Sequence, residues 1–236
     1  MKLFRPVLYV CGMLAFIMAG LLLAPAVFAL LTDDEEYSTF FLSSGLAALA
    51  GLLLMLPGLG HRFTLTARQL YLLTSLSWLS LSFYGALPLM LSHHPLSLAD
   101  AVFEAVSGIT TTGSTVMSEL AALPHSILLW RSMLQWVGGL GVIGMAVSIL
   151  PFLQVGGMRL FQTESSDWSE KSLPRFHEMA RGLLLVYLGI TLACALSYLA
   201  AGMTLFDAIN HAMTTVSTGG YATDDSSMGR FSDTIL

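Results

Sequence analysis

One pattern occurs twice in this 236-residue chain, and its copies align without a gap at an offset of 107 residues, Ser97 falling on Thr204. The first copy, SLADAVFEAVSGITTTGST, begins at Ser97; the second, TLFDAINHAMTTVSTGGYA, begins at Thr204. Asp100 falls on Asp207, Ala101 on Ala208, Ala105 on Ala212, Thr111 on Thr218 and Gly113 on Gly220. Each copy reads as a short helix with an Asp near its start, running into a Thr/Gly loop. Each follows an apolar segment long enough to cross a membrane. A spanning helix, a half-helix and a Thr/Gly loop, repeated, is the layout of an ion selectivity filter.

Composition agrees. Only 11% of residues are charged and mean hydropathy is +0.75, whereas a soluble domain carries about a quarter charged residues. The implied fold class is an all-α membrane protein of repeated membrane helix–pore loop–membrane helix units with re-entrant half-helices. Five apolar segments have spanning length, at 7–31, 40–56, 70–91, 126–153 and 182–201. Two shorter helices, 98–110 and 205–217, cannot cross a hydrocarbon core of roughly 30 Å at 1.5 Å per residue. They must dip in and return, which backbone tolerates only inside protein or along a water-filled cavity. The first segment has a rival reading: Lys2 and Arg5 before it, and Ala24-Pro25-Ala26 near its end, also suit a cleaved signal peptide.

Loop charges give one topology. Lys2 and Arg5 precede the first span, Arg62 and Arg68 lie between the second and third, and Arg159, Lys171, Arg175 and Arg181 lie between the fourth and fifth. Acidic or neutral loops alternate with these: Asp33, Asp34, Glu35 and Glu36, then His93 and His94, then Asp224 and Asp225. The positive-inside bias makes the amino terminus cytoplasmic and opens both Thr/Gly loops to the outside. The connector 156–181 is the most polar stretch, either a solvated linker or a contact for a cytoplasmic partner. Its Pro174 suits the first turn of a short helix leading into the fifth span.

A potassium ion must shed water to be selected, and backbone carbonyls converging on one axis can replace that water. Glycine accepts the φ/ψ values such a loop needs, and flanking Thr adds hydroxyl oxygens and stiffness. The half-helix before the loop aims its partially negative C-terminal end at the pore centre. These considerations select Thr111, Thr112, Gly113, Thr218, Gly219 and Gly220 as filter residues, with potassium ligated through Thr111, Thr112, Thr218 and Gly219. Asp100 and Asp207, in the first turns, are expected to act as N-terminal caps.

Four segments also resemble a known family: residues 103–115 (FEAVSGITTTGST), 63–68 (FTLTAR), 130–132 (WRS) with 135–141 (QWVGGLG), and 217–221 (STGGY). They are similar to the Trk/Ktr/HKT potassium transporter superfamily, in its bacterial TrkH/TrkG branch. The resemblance covers essentially the whole chain. It implies potassium as substrate without a cofactor, a bacterial inner-membrane location, a homodimer embedded in membrane lipid, and a cytoplasmic nucleotide-binding regulatory subunit (TrkA-like). It also implies four membrane–pore–membrane repeats around one pore, with one key filter glycine per repeat, here Gly113 and Gly220, and an extra amino-terminal helix pair. The corresponding division is 1–68 for the helix pair, 69–153 for the first repeat, 154–181 for the connector and 182–236 for most of a second repeat. The expectation is therefore a truncated sequence, or a second chain that supplies the rest. A sodium-permeable transporter of the same fold and a non-conducting subunit or fragment are the alternatives.

Glu104 and Arg131 are the charges placed at membrane depth, and buried charges pair. A structural Glu104–Arg131 pair is expected, an ion-binding Glu104 being the alternative. Gly138, Gly139, Gly141 and Gly144 suit close helix packing or a hinge. His211, which stands where the first copy has Glu104, suits pore-helix packing over proton coupling. Cys11 and Cys194 lie inside apolar segments and suit neither a disulfide nor a metal. The sequence has no catalytic triad, metal-spaced Cys/His set or phosphate-binding glycine loop, so neither an enzyme nor a nucleic-acid partner is expected.

Overall fold

The computed structural model describes residues 4–60, 66–149 and 172–231. Helices α1 (Arg5–Leu31) and α2 (Tyr37–Met55) form a hairpin, followed by α3 (Ala67–Leu91) and the short α4 (Leu98–Ile109). Then come α5 (His125–Ile149), α6 (Ser172–Ala200) and the short α7 (Leu205–Val216). Helices α1, α2, α3, α5 and α6 are long and apolar enough to cross a membrane. α4 and α7 have 12 residues each, about 18 Å of helix, which is too short to span. The five spans and two half-helices expected from the sequence are the elements found.

Their limits shift where polar groups cap them. α3 starts at Ala67 rather than at residue 70, because Gln69 Oε1 accepts the Thr66 N–H at 2.9 Å and this reciprocal capping begins the helix before the apolar run. At its amino-terminal end α6 takes in residues 172–181, so Pro174 sits in the first turn of the spanning helix itself rather than in a separate short one. The rest of the connector, 156–171, lies outside the described residues, as does the end of the fourth expected span. Residues Ala24, Pro25 and Ala26 lie inside α1, where Leu22 and Ala26 are fully buried.

Close crossings set the packing. A Cβ on Gly12 would lie 2.7 Å from the Gly51 carbonyl oxygen, and one on Gly51 would lie 2.9 Å from that of Gly12. These glycines therefore let the α1 and α2 backbones touch, as small residues do in membrane bundles. One apolar core then joins the hairpin to the first repeat, with Met18, Leu22, Phe40, Leu89, Ala101, Ile109, Trp130 and Leu134 all buried. Half of the spanning stretch of α5 is buried, against 11% for α6, so α5 is the central helix and α6 lies on the outside.

Polar contacts gather four loops at one end. Asp34 Oδ2 accepts the Ser126 N–H (3.1 Å) and hydroxyl (2.8 Å). Glu36 Oε1 accepts the His93 N–H (2.8 Å), and Asp225 Oδ2 accepts the Leu120 N–H (2.9 Å). The chain thus enters α4 and returns after its Thr/Gly loop at the same end of the bundle. α4 is re-entrant.

Candidate functional site

Both half-helices begin with the same hydrogen-bonded device. Ser97 Oγ accepts the Asp100 N–H and donates to the Asp100 carboxylate at 2.7 Å. Thr204 Oγ1 does the same with Asp207, again donating at 2.7 Å. The caps are therefore Ser97 and Thr204, not the aspartates. Asp100 and Asp207 occupy the third helical position, where the carboxylate holds the capping hydroxyl and faces the positive end of the helix dipole. Asp207 does more than its counterpart, because Oδ1 also accepts the Thr223 hydroxyl at 2.7 Å and so ties the chain beyond the second loop back to the start of α7.

Both half-helices also end alike. The Thr111 N–H bonds to Gly108 O and the Thr112 N–H to Ser107 O, each at 2.9 Å; the Thr218 N–H bonds to Thr215 O and the Gly219 N–H to Thr214 O, also at 2.9 Å. These are Schellman closures, which place the residue after the C-cap in the left-handed region. That residue is Thr111 in the first copy and Thr218 in the second, each with φ 58°. Gly113 (φ 81°) and Gly220 (φ 78°) follow. Glycine is thus not alone in taking the unusual backbone. A β-branched residue holds the position usually given to glycine, at a cost of about 1–3 kcal/mol that surrounding structure must offset. The backbone repeat is thus closer than the sequence repeat.

The two loops touch. A Cβ on Gly113 would fall 2.0 Å from the Gly219 carbonyl oxygen, so only glycine fits there. Gly220 has open space where its Cβ would be. Thr112, Thr218 and Gly220 are exposed, Thr111 and Gly113 half-buried, and Gly219 buried. All six sequence-selected loop residues therefore lie in two like turns that meet at Gly113 and Gly219.

Behind the first loop sits a buried charge cluster. Glu104 Oε1 accepts from Arg131 Nε and Nη2, both at 2.8 Å. The Thr115 hydroxyl donates to the same carboxylate at 2.9 Å, and the Val116 N–H donates to Oε2 at 3.1 Å. Arg131 Nη2 also donates to Thr115 Oγ1 at 3.0 Å and Nη1 to Ala222 O at 3.4 Å. Both charges are essentially without solvent exposure. With its oxygens held by four donors, Glu104 braces α4, the loop after it and α5. The arginine also lies 4.3 Å from the centre of the Tyr221 ring, a cation–π contact. The Tyr221 hydroxyl donates to Glu104 O at 2.9 Å. Burial, with the Glu104 carboxylate beside it, pushes that hydroxyl above its ordinary pKa, so it remains a donor. His211, the counterpart of Glu104, is buried with Nε2 3.5 Å from Thr223 Oγ1 and stands edge-on to Tyr198 and Phe231. It fills space rather than forming a second ion pair.

α5 meets both half-helices through consecutive glycines. A Cβ on Gly138 would fall 2.0 Å from Ile109 O, at the end of α4; one on Gly139 would fall 2.6 Å from the Tyr187 hydroxyl and 2.9 Å from Ser217 Cβ, at the end of α7. One turn earlier, Gln135 Oε1 accepts the Tyr221 N–H at 3.0 Å. Gln135, Tyr221 and Thr115 were not among the sequence-selected site residues, although all three stand in motifs quoted above. Tyr221 and its partners Gln135 and Glu104 lie 86 and 117 positions apart, too far for spacing to reveal.

Comparison with known proteins fits this geometry. A family model described as TrkH, cation transport protein, matches residues 38–236. The Trk system potassium uptake protein TrkI of Halomonas elongata is 41% identical over 233 residues, covering 99% of this chain and 47% of that protein. The Trk system potassium uptake protein TrkH of Escherichia coli is 41% identical over 231 residues, covering 97% of this chain and 48% of that protein. The crystal structure of the potassium transporter TrkH from Vibrio parahaemolyticus superposes with a TM-score of 0.86 at 38% identity, over 98% of this chain and 47% of that one. The chain thus spans about half the length of the relatives it matches.

Proposed function

This chain belongs to the TrkH family of cation transport proteins, a family of transporters rather than enzymes, and from that premise we propose that it forms the amino-terminal half of a potassium-uptake pore. The supporting observation is the pair of loops with the same left-handed turns, in contact through Gly113 and the Gly219 carbonyl. In this reading potassium is the substrate, ligated by carbonyl and hydroxyl oxygens of Thr111, Thr112, Thr218 and Gly219. The half-helix C-termini lend negative potential to the ion's position, and two further repeats complete the ring. Residues 1–68 are the helix pair, 69–153 the first repeat, 154–181 the connector and 182–236 the second repeat up to Leu236.

Flux tests the reading. Proteoliposomes holding this chain joined to the carboxy-terminal half of a TrkH relative should take up potassium or tracer rubidium in preference to sodium. Equal uptake of sodium would favour a non-selective transporter of the same fold, and no uptake a non-conducting subunit.

The setting proposed is the bacterial inner membrane, with a cytoplasmic amino terminus, a homodimeric assembly and a nucleotide-binding regulatory subunit against the 154–181 connector. Orientation is testable with single cysteines in a background lacking Cys11 and Cys194. An impermeant thiol reagent applied to intact cells should label the exposed positions 33 and 35 and leave positions within 156–181 unlabelled. The reverse pattern would invert the topology.

A further inference from the structure

We propose that Gln135 is a specificity-determining residue, setting the position of the two Thr/Gly loops relative to one another from α5; the inference rests on the pore reading above. Gln135 is fully buried. Its Oε1 accepts the Tyr221 N–H at 3.0 Å. A backbone N–H can only donate, so this bond fixes which end of the amide is oxygen. The amide then lies flat against the second loop: a Cβ built on Gly219 would fall 2.3 Å from Cδ and 2.4 Å from Oε1. It reaches toward the first loop as well, since a Cβ built on Gly113 would lie 3.8 Å from Nε2 and 2.0 Å from Gly219 O. One side chain, from a helix belonging to neither loop, therefore abuts Gly219 and Tyr221, and Gly219 is the residue whose carbonyl meets the first loop at Gly113.

Packing alone does not account for a glutamine here. Among the described residues Nε2 is buried with no hydrogen-bond partner, and leaving such a donor unpaired costs stability. A Leu or Met would fill the same space without that cost. What a glutamine supplies, and they do not, is an acceptor at the correct reach for Tyr221 N–H, backed by a flat surface for Gly219. Selection between ions of like charge depends on where the loop oxygens converge. A side chain that fixes the offset between two loops fixes that convergence without touching the ion.

The test uses this chain joined to the carboxy-terminal half of a TrkH relative, reconstituted in vesicles, with potassium and sodium uptake measured at equal protein amount. Gln135→Leu removes the acceptor and should lower the potassium-to-sodium ratio by about tenfold, the worth of one buried hydrogen bond. Gln135→Glu keeps an oxygen acceptor at the same reach and, measured at about pH 5 where a buried carboxyl without a cationic partner stays protonated, should hold the ratio within about twofold of the parent. Gln135→Met, of the same length but without an acceptor, should behave like Gln135→Leu and replaces it if the leucine variant does not accumulate. An unchanged ratio in the apolar variants, or a Gln135→Glu ratio as low as theirs, overturns the proposal while the pore reading stands. A parent protein that takes up no potassium overturns both.

Discussion

Replacing Gly113 by serine should abolish most potassium-over-sodium preference in the assembled pore, with a loss at least about tenfold greater than Gly220→Ser produces. Both positions have φ near +80°, where an L-residue costs about 1–2 kcal/mol. The difference lies in space. A Cβ at Gly113 would stand 2.0 Å from the Gly219 carbonyl oxygen, a backbone atom that can yield only by moving the second loop; at Gly220 it meets nothing within 4 Å. Overpacking typically adds about 1–3 kcal/mol, and each 1.4 kcal/mol is a factor of about ten. The check is the ratio of potassium to sodium uptake at matched protein amount. Unchanged selectivity in both variants would remove the filter assignment. A larger effect at Gly220 would show that the contact between the loops is not what matters.

The second large effect is expected at the buried charges. Glu104→Gln and Arg131→Gln should each destabilise the protein by about 3–5 kcal/mol, since each leaves its partner charged and unpaired in a low-dielectric site. The double variant should lose clearly less than the sum, because the 2.8 Å contacts between them are then removed together. Thermal unfolding in detergent, followed for parent, singles and double, closes the cycle. Strict additivity would mean that the two groups do not interact. Some destabilisation should persist in the double variant, because Val116 N–H and the Ala222 carbonyl also lose a charged partner.

The spans and half-helices were legible in the sequence because membrane thickness sets a length that apolar runs meet or miss. The 107-residue repeat marked the two loops for a similar reason, since a half-helix and its turn form a local unit. Local reasoning failed at two points. It took Asp100 and Asp207 for caps when Ser97 and Thr204 cap, both being N-cap residues three positions apart. It also did not foresee that the Schellman bonds place Thr111 and Thr218 in the left-handed region, since it considered glycine for that backbone and threonine only for its hydroxyl and stiffness. The contacts of Tyr221 were not legible. Tyr221 meets Glu104 across 117 positions and Gln135 across 86, and no periodicity encodes a contact made only once the helices have packed.

The consecutive glycines of α5 carry a mechanical consequence. Neighbouring residues on a helix point about 100° apart, so Gly138 and Gly139 face different neighbours, the Ile109 carbonyl on one side and Ser217 with Tyr187 on the other. α5 is thereby keyed like a shaft seated in two slots. Turning it about its own axis in either direction drives backbone into one half-helix. The stretch of α5 around Gly138 and Gly139 and the ends of the two half-helices therefore pack as one unit.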